Sequence, residues 1–209
     1  MASLNLFFVL RSQQQNNGCQ SMSKYDENDI IQKLKDPSQK RRAFEVVVNQ
    51  YSRILYWQIR HIVQVHDDTD DILQNTFLKA WNGIDNFAGD SKLSTWLYRI
   101  AYNESITFLK QKRETYSLDA TGDDDDEGSV NTYAMQLESD EYMDGDKTQM
   151  LLQQAISQLP AKQKAVFTMK YFNEMKYEEI QAVTGTSVGA LKASYHLAVE
   201  KITKFFHAL

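Results

Sequence analysis

The chain has 209 residues, of which 42% are apolar, and it carries a formal net charge of -5. This length and apolar content suffice for one or two helical cores and argue against a large single-chain enzyme fold. The one cysteine, Cys19, cannot form an intrachain disulfide and has no thiol or histidine at ligand spacing, so disulfide frameworks and cysteine zinc sites are excluded and a reducing, intracellular setting is expected.

The N-terminal segment is polar apart from one apolar run, LNLFFVL, which has seven residues and no positive charge before it. Such a run is too short to span a bilayer and makes a poor signal peptide. We expect residues 1–23 to be a disordered tail, and the native start to lie at or near Met22.

The net charge conceals a division of the chain into segments. Residues 24–113 carry 14 basic and 12 acidic side chains, residues 114–150 carry one basic and 12 acidic, and residues 151–209 carry seven basic and four acidic. The two ends are therefore mildly basic, and the acidity is concentrated in the middle.

Three amphipathic helices are predicted within residues 24–113. The first spans residues 44–62 and places its apolar side chains on one stripe, with arginines such as Arg60 outside it. The second follows HDDTD, whose aspartates and threonine suit a helix cap and first turn. The third begins near Ser94 and ends in the basic sequence KQKR. The stripe of the first helix consists of Phe44, Val47, Val48, Tyr51, Leu55, Ile59 and Ile62.

Residues 114–147 include TGDDDDEGS and show no sustained period, which indicates a flexible acidic linker. Helical periodicity resumes in MLLQQAISQLP, so we expect residues 148–209 to form a second helical domain. The sequence therefore predicts an all-α protein of two small domains. The apolar positions at the start of the second domain are Leu152, Ala155, Ile156 and Leu159.

The C-terminal stretch YEEIQAVTGTSVGALKASYHLAVEK has the pattern of a helix-turn-helix. Residues 177–183 form the first helix, TGT supplies a glycine turn, and Ser187 is a natural N-cap of the second helix. Opposite the predicted core this second helix carries small side chains, which let a helix approach bases closely, and Lys192 and His196 can donate to phosphates or base edges. Two packed helices need a turn and a cap for stability alone, so the pattern by itself leaves DNA binding open. The predicted core positions are Leu191, Tyr195, Ala198, Ile202 and Phe205.

The histidines and aspartates around HDDTDD offer a different chemistry, because histidine and carboxylate sets bind metals in some hydrolases. A metal-dependent hydrolase using His66 and Asp67 is therefore the alternative from another class. An acid-rich helix start explains the same residues more simply, and no second His-Asp pair follows downstream, so we expect neither a metal nor another cofactor. The residues concerned are His61, His66, Asp67, Asp70 and Asp71.

The segment FAGDSKLSTWLYRIAYNESITFLKQKR alternates aromatic side chains with basic and amide side chains. Single-stranded DNA binding requires stacking surfaces, cations for the backbone and polar groups for an extruded base. Core packing by Trp96 and solubilising lysines at a helix end would explain part of the same pattern.

Taken in order, DDILQNTFLKAW, FAGDSKLSTWLYRIAYN and LPAKQKAVFTMKYFNEMKYEEIQAVTGTSVGALKASYHLA resemble the bacterial extracytoplasmic-function sigma factors. The resemblance covers roughly residues 24–113, which are similar to region 2, and residues 148–206, which are similar to region 4. It implies a cytoplasmic, non-enzymatic subunit that joins core RNA polymerase, directs it to promoter DNA, melts the duplex without ATP and is held by an anti-sigma factor. A stand-alone helix-turn-helix transcription regulator is the alternative within DNA binding.

The resemblance also implies roles for particular residues. The family often has arginine at the positions that Ser194 and Leu197 occupy here. Because this chain has fewer cations to bind phosphates, the affinity for the minus-35 element should depend only weakly on salt concentration. The polymerase-binding residues are Asp70, Asp71 and Gln74. The minus-10 residues are Asn86, Phe87, Gly89, Asp90, Ser91, Lys92, Arg99, Asn103, Lys110 and Arg113. The minus-35 residues are Ser187, Gly189, Ala190, Lys192, Ala193 and His196.

Overall fold

The structure is a computed structural model that describes residues 27–119 and 147–208, with side chains for residues 27–113 and 149–208. The predicted tail, including Met22, and residues 120–146 of the predicted linker lie outside the described residues. The described part of the chain contains α-helices, one 3-10 helix and no strand, which confirms the predicted all-α class.

The helices fall into an N-terminal and a C-terminal half. The described N-terminal half contains α1 (Glu27–Lys35), α2 (Lys40–Val63), α3 (His66–Gly83), a 3-10 helix (Ile84–Asn86) and α4 (Leu93–Asp119). The described C-terminal half contains α5 (Lys147–Ser157), α6 (Ala161–Tyr171), α7 (Tyr177–Thr184) and α8 (Val188–His207). Across these described ranges, every helix is too short or too polar to cross a membrane.

The N-terminal half is a bundle in which α2, α3 and α4 pack on one another and α1 packs against α2. Apolar side chains three and four residues apart on each helix converge at the centre, where Leu55, Ile59, Leu93 and Leu97 are almost completely buried. The predicted stripe of α2 is confirmed, since five of its seven members are buried and Phe44 and Val48 are half-buried at its edge.

Polar contacts fix the end of α3 and the start of α4. The backbone N–H of Leu93, at the first turn of α4, donates to the carboxylate of Glu27 on α1. Lys40 Nζ lies 2.7 Å from Asp85 Oδ2 and 4.7 Å from the centre of the Trp81 ring. These contacts hold both ends of the segment that connects α3 to α4, which is the predicted minus-10 loop.

The C-terminal half is organised around Phe167 of α6, which is fully buried. Its ring stacks on Tyr171 at 5.1 Å and on Tyr195 of α8 at 5.8 Å between centroids. Burial of the α5 positions and of Leu159 confirms the core predicted for this half. These buried positions are Leu152, Ala155, Ile156 and Leu159.

The two halves are packed together. Met169 of α6 and Ile180 of α7 belong to the same apolar cluster as the leucines of the N-terminal bundle. Helix α6 contacts α2, and α7 contacts α4. At the first of these contacts the His61 ring stacks on Phe172 with 4.2 Å between centroids, and Lys164 Nζ donates to Gln64 Oε1 at 3.1 Å.

Three local features differ from the sequence-based expectation. Helix α4 continues to Asp119 because the sequence ETYSLD after Arg113 contains neither glycine nor proline. Helix α3 begins at His66 with no side-chain cap, so its aspartates lie in the first turn instead of capping it. Arg60, expected outside the apolar stripe, is only 8% exposed because the end of α2 that carries it contacts the C-terminal half.

Candidate nucleic-acid and polymerase interfaces

The turn between α7 and α8 confirms the predicted helix-turn-helix. Gly185 ends α7 with a left-handed φ of 72°, and its N–H donates to the Gln181 carbonyl oxygen at 2.8 Å. Ser187 precedes α8, where its hydroxyl oxygen accepts from the backbone N–H of Ala190 at 3.4 Å. Glycine at position 185 therefore allows the left-handed backbone, and serine at position 187 supplies the hydroxyl that caps the next helix.

Alanine substitutions at two glycines of this motif are expected to have opposite effects on stability. A Cβ at Gly185 or at Gly189 would meet no atom within 4 Å, so the effect of each substitution on stability depends on the backbone conformation that alanine prefers. Gly185→Ala should lower the free energy of unfolding by about 1 kcal/mol, because its φ is left-handed. Gly189→Ala, within α8, should raise that free energy by up to about 1 kcal/mol. Urea unfolding of both variants measures the difference, and equal shifts of the same sign would contradict it.

The predicted reading helix, α8, has a buried and an exposed face. Leu191, Ala198 and Ile202 are fully buried, while Tyr195 and Phe205 are partly buried against the core, as their spacing predicts. The predicted minus-35 residues lie on the exposed side, and Leu197, which sequence analysis placed at the edge of this side, is 46% exposed. The exposed residues are Ser187, Gly189, Ala190, Lys192, Ala193 and His196.

The predicted minus-10 loop is exposed except at Phe87. Asn86, Gly89, Asp90 and Lys92 are exposed and Ser91 is half-buried, and Gly89 has a left-handed φ of 83°.

Phe87 itself is only 6% exposed, with its ring centre 5.2 Å from that of Trp96. The expectation that Phe87 contacts DNA directly is therefore corrected: this ring anchors the loop to the bundle and is not available to stack on a base.

The remaining predicted minus-10 residues follow one side of α4. Arg99, Asn103, Lys110 and Arg113 are all exposed, and at 100° per residue they fall within about 40° of one line. The line extends for about 21 Å, since each helical residue rises by 1.5 Å. Such a row of basic and amide groups suits an extended polyanion.

Two of these minus-10 residues contact the C-terminal half. Lys92 Nζ lies 2.9 Å from Glu179 Oε1, and this hydrogen bond is the main cause that raises the pKa of Lys92 and lowers the pKa of Glu179. Arg99 donates from Nε to the Ala182 carbonyl oxygen at 2.8 Å and also from Nη2. Sequence analysis missed Glu179 and Ala182, because a backbone carbonyl has no sequence signature and Glu179 resembles an ordinary helix-capping acid.

The predicted polymerase-binding residues form one exposed patch on α3. Asp70, Asp71 and Gln74 are all exposed, and Asp70 Oδ2 lies 3.7 Å from His66 Nε2. Within residues 27–113 and 149–208, the side chains of Asp71 and Gln74 make no hydrogen bond or ion pair. Leu78 lies one turn beyond Gln74 and is 54% exposed, which sequence analysis did not anticipate.

The residues of the metal-site alternative have other partners. His66 Nδ1 is 2.8 Å from the Tyr56 hydroxyl oxygen, and His61 is buried against Phe172. Burial, with a smaller contribution from the charge of Arg60, lowers the pKa of His61 to about 4. In the described ranges, no three His, Cys, Asp or Glu side chains gather as metal ligands. The geometry therefore gives no support to a metal-dependent hydrolase.

The described part of the chain is thus a helical bundle with an exposed acidic patch and a basic row, followed by a helix-turn-helix, and comparison with known proteins identifies both halves. The family model of sigma-70 region 2 matches residues 47–115, and that of sigma-70 region 4 matches residues 149–202. The RNA polymerase sigma-H factor of Pseudomonas aeruginosa is 31% identical over 171 residues, which cover 81% of this chain and 89% of that protein. The ECF RNA polymerase sigma factor SigW of Bacillus subtilis is 32% identical over 168 residues, which cover 78% and 88%.

The chain therefore belongs to the sigma-70 family of RNA polymerase sigma factors, in the extracytoplasmic-function group. Two solved structures share its fold. CnrH in complex with the cytosolic domain of CnrY has a TM-score of 0.59 and 22% identity, and covers 87% of this chain and 97% of that one. The sigma factor RpoE in complex with the anti-sigma factor NepR from Bartonella quintana has a TM-score of 0.63 and 21% identity, and covers 78% and 96%.

Proposed function

We propose that this sigma factor is a non-enzymatic, cytoplasmic subunit that binds core RNA polymerase, recognises minus-10 and minus-35 promoter elements and promotes DNA melting. One observation carries the proposal: the region 2 and region 4 matches together account for both described halves of the chain. A stand-alone helix-turn-helix regulator would require region 4 alone, so the region 2 match favours the sigma factor.

Polymerase docking is assigned to the α3 patch of Asp70, Asp71 and Gln74. Its exposed carboxylates suit a basic partner surface, and Leu78 adds an apolar contact beside them. Burying an apolar side chain beside these charges contributes affinity, while the charges orient the partner.

Minus-10 capture is assigned to the loop of residues 86–92 and the exposed row on α4. Opening a duplex costs a few kcal/mol for each unstacked base, and a loop that holds the extruded base together with cations along the backbone offsets this cost. Melting then follows from preferential binding of the single strand, so ATP hydrolysis is not required. The left-handed Gly89 and the buried Phe87 support a loop of fixed shape.

Minus-35 reading is assigned to the exposed face of α8. Small side chains at Gly189, Ala190 and Ala193 allow close approach to the major groove, and His196 can donate to a base edge. Lys192 Nζ lies 5.8 Å from the centre of the Tyr177 ring, which supports an extended lysine held at the start of the reading helix.

Removing the Lys192 charge is expected to weaken promoter binding by the polymerase complex and to reduce the slope of log affinity against log salt by about one. Lys201→Ala is the matched control, because Lys201 is also exposed on α8 but lies on another side of the helix. Titration of fluorescently labelled minus-35 DNA at several salt concentrations measures both the affinity and its salt dependence. If Lys192→Ala and Lys201→Ala behave alike, Lys192 has no special role in reading.

Promoter melting can be tested with permanganate, which modifies unpaired thymines. Promoter fragments selected by the polymerase complex should become reactive in the minus-10 element only when both core polymerase and this chain are present. Reactivity should persist without hydrolysable nucleotide. Bound promoter that stays unreactive would contradict the proposed melting role while leaving docking intact.

An anti-sigma factor is a further proposed partner. The structural neighbour RpoE was solved in complex with the anti-sigma factor NepR, and its fold is shared with this chain.

A further inference from the structure

A large apolar side chain is exposed on the face of α8 that is assigned to the minus-35 element. Leu197 is 46% exposed, and at 100° per residue it lies about 60° from the direction opposite to the fully buried Leu191. Lys192, which is assigned to the same element, lies about 80° from that direction on the other side of the face. Leu197 is therefore nearer than Lys192 to the centre of the exposed face, in the sector that would approach base edges.

The neighbours of Leu197 on the same side of α8 are also apolar. Ala193 lies one turn before Leu197, Ala190 lies one turn before Ala193, and both alanines are exposed. None of these three side chains carries a hydrogen-bond donor or acceptor. The sequence of α8, VGALKASYHLAVEKITKFFH, also contains no arginine, the side chain that most often reads guanine.

The single acidic residue of α8 is compensated within the helix. Glu200 is exposed one turn beyond His196, and its Oε1 lies 2.8 Å from Lys204 Nζ. The hydrogen bond from Lys204 is the main cause that lowers the pKa of Glu200, so this carboxylate stays ionised and paired with a cation. The exposed face of α8 therefore does not present an uncompensated negative charge to DNA.

A leucine can favour one base in the major groove although it makes no hydrogen bond. Base edges there carry donors and acceptors, together with one apolar group, the C5 methyl of thymine. Leucine placed against a donor or acceptor leaves that group without a hydrogen-bond partner, which costs free energy. Leucine placed against a thymine methyl removes apolar surface of both groups from water, which contributes free energy.

We propose that Leu197 is a specificity-determining residue that contacts a thymine methyl, so that the minus-35 element of this chain has a T·A pair at the position that Leu197 faces. The proposal rests on the minus-35 function proposed above and specifies the DNA that this function requires. Ala193, with its short apolar side chain one turn earlier, lets the same side of α8 lie close to the bases. Lys192 and His196 supply donors to neighbouring bases and phosphates.

Replacement of thymine by uracil tests the contact, because uracil keeps the same base pairing and lacks only the C5 methyl. The minus-35 element would first be selected from randomised DNA by the complex of the full chain with core polymerase. Each thymine of that element would then be replaced singly by deoxyuridine. At one position the affinity should fall about three- to five-fold, the range expected for removing one methyl from an apolar contact. Equal affinity for every thymine and uracil version would overturn the proposal.

Leu197→Ala identifies the side chain that contacts the methyl. The preference for thymine over uracil at that position should fall below about two-fold, because alanine is too short to bury the methyl. Met150→Ala is the matched control, since Met150 is another exposed apolar side chain of the C-terminal half, 38% exposed, but lies on α5. Met150→Ala should keep the preference of the unsubstituted chain. If Leu197→Ala keeps it as well, another residue contacts the methyl and the proposal is overturned.

Leu197→Arg should change the selected base pair at the same position. Arginine donates two hydrogen bonds to guanine, so selection by this variant should favour a pair with guanine over T·A by at least about five-fold. Continued selection of T·A by Leu197→Arg would overturn the assignment. Weaker binding of core polymerase by Leu197→Ala, with the thymine preference unchanged, would place Leu197 against the polymerase and also overturn it.

Failure of this inference is distinguishable from failure of the proposed function. If the unsubstituted complex selects no minus-35 element, the proposed function fails and the role of Leu197 fails with it. If the complex selects a minus-35 element but binds its thymine and uracil versions equally, promoter recognition stands and only the role of Leu197 is overturned.

Discussion

Asp71→Arg combined with Gln74→Ala is expected to reduce promoter-dependent run-off transcription with core RNA polymerase by at least about ten-fold. Both side chains are exposed on α3 at the centre of the patch assigned to docking. A reversed charge at the centre of an interface replaces attraction with repulsion and leaves polar groups of the partner unpaired. Loss of central contacts of this kind commonly costs about 2 kcal/mol or more of binding free energy. Co-elution of the variant with core polymerase on gel filtration should be lost in parallel.

Glu45→Arg provides the matched control for this prediction. It makes the same charge change at an exposed acid on α2, where the ion pair affected among the described residues is that with Arg41 at 3.4 Å. Transcription with Glu45→Arg should stay near the unsubstituted level. If the α3 double variant retains full transcription and still co-elutes with polymerase, the docking surface lies elsewhere.

Acidification should destabilise the fold through His61. Its pKa is lowered to about 4 in the folded chain, chiefly by burial, from an ordinary value of 6.5. The unfolded chain therefore binds the proton first as the pH falls. The stabilising contribution is fully present above about pH 6.5 and is lost progressively towards pH 4, by about 3 kcal/mol in total.

His61→Phe isolates this contribution. Phenylalanine keeps a flat ring to stack on Phe172, which lies 4.2 Å from the His61 ring, but it cannot take up a proton. Carboxylates also titrate in this range, so the informative quantity is the difference between His61→Phe and the unsubstituted chain. Urea unfolding at about pH 7 and about pH 4.5 should show a much smaller loss for the variant. Equal losses would show that His61 does not govern the acid response.

Much of the fold follows from local patterns in the sequence. The spacing of apolar residues in α2, α5 and α8 predicts which side chains are buried, because the period of a helix fixes which residues share a face. The turn before α8 is also predictable, since Gly185 adopts the left-handed conformation and Ser187 caps the next helix. The exposed face of α8 follows from the same periodicity.

The contacts between the halves could not be predicted in this way. Arg60 and Phe87 are buried by elements distant in the sequence or by loop packing, and neither leaves a periodic signal. The acceptor for Arg99 is the backbone carbonyl of Ala182, 83 residues away, and any residue type supplies a carbonyl. The sequence of one helix predicts which of its residues share a face, whereas the segment that packs on that face depends on the whole fold.

Run-off transcription with purified core RNA polymerase tests the central claim most directly. Genomic promoter fragments would be transcribed with and without this chain, and the starts of the transcripts mapped. The account predicts transcripts from a defined set of promoters that appear only when the chain is added and that need no other initiation factor. Transcription starting at random positions, unchanged by the chain although the polymerase responds to a known sigma factor, would contradict it.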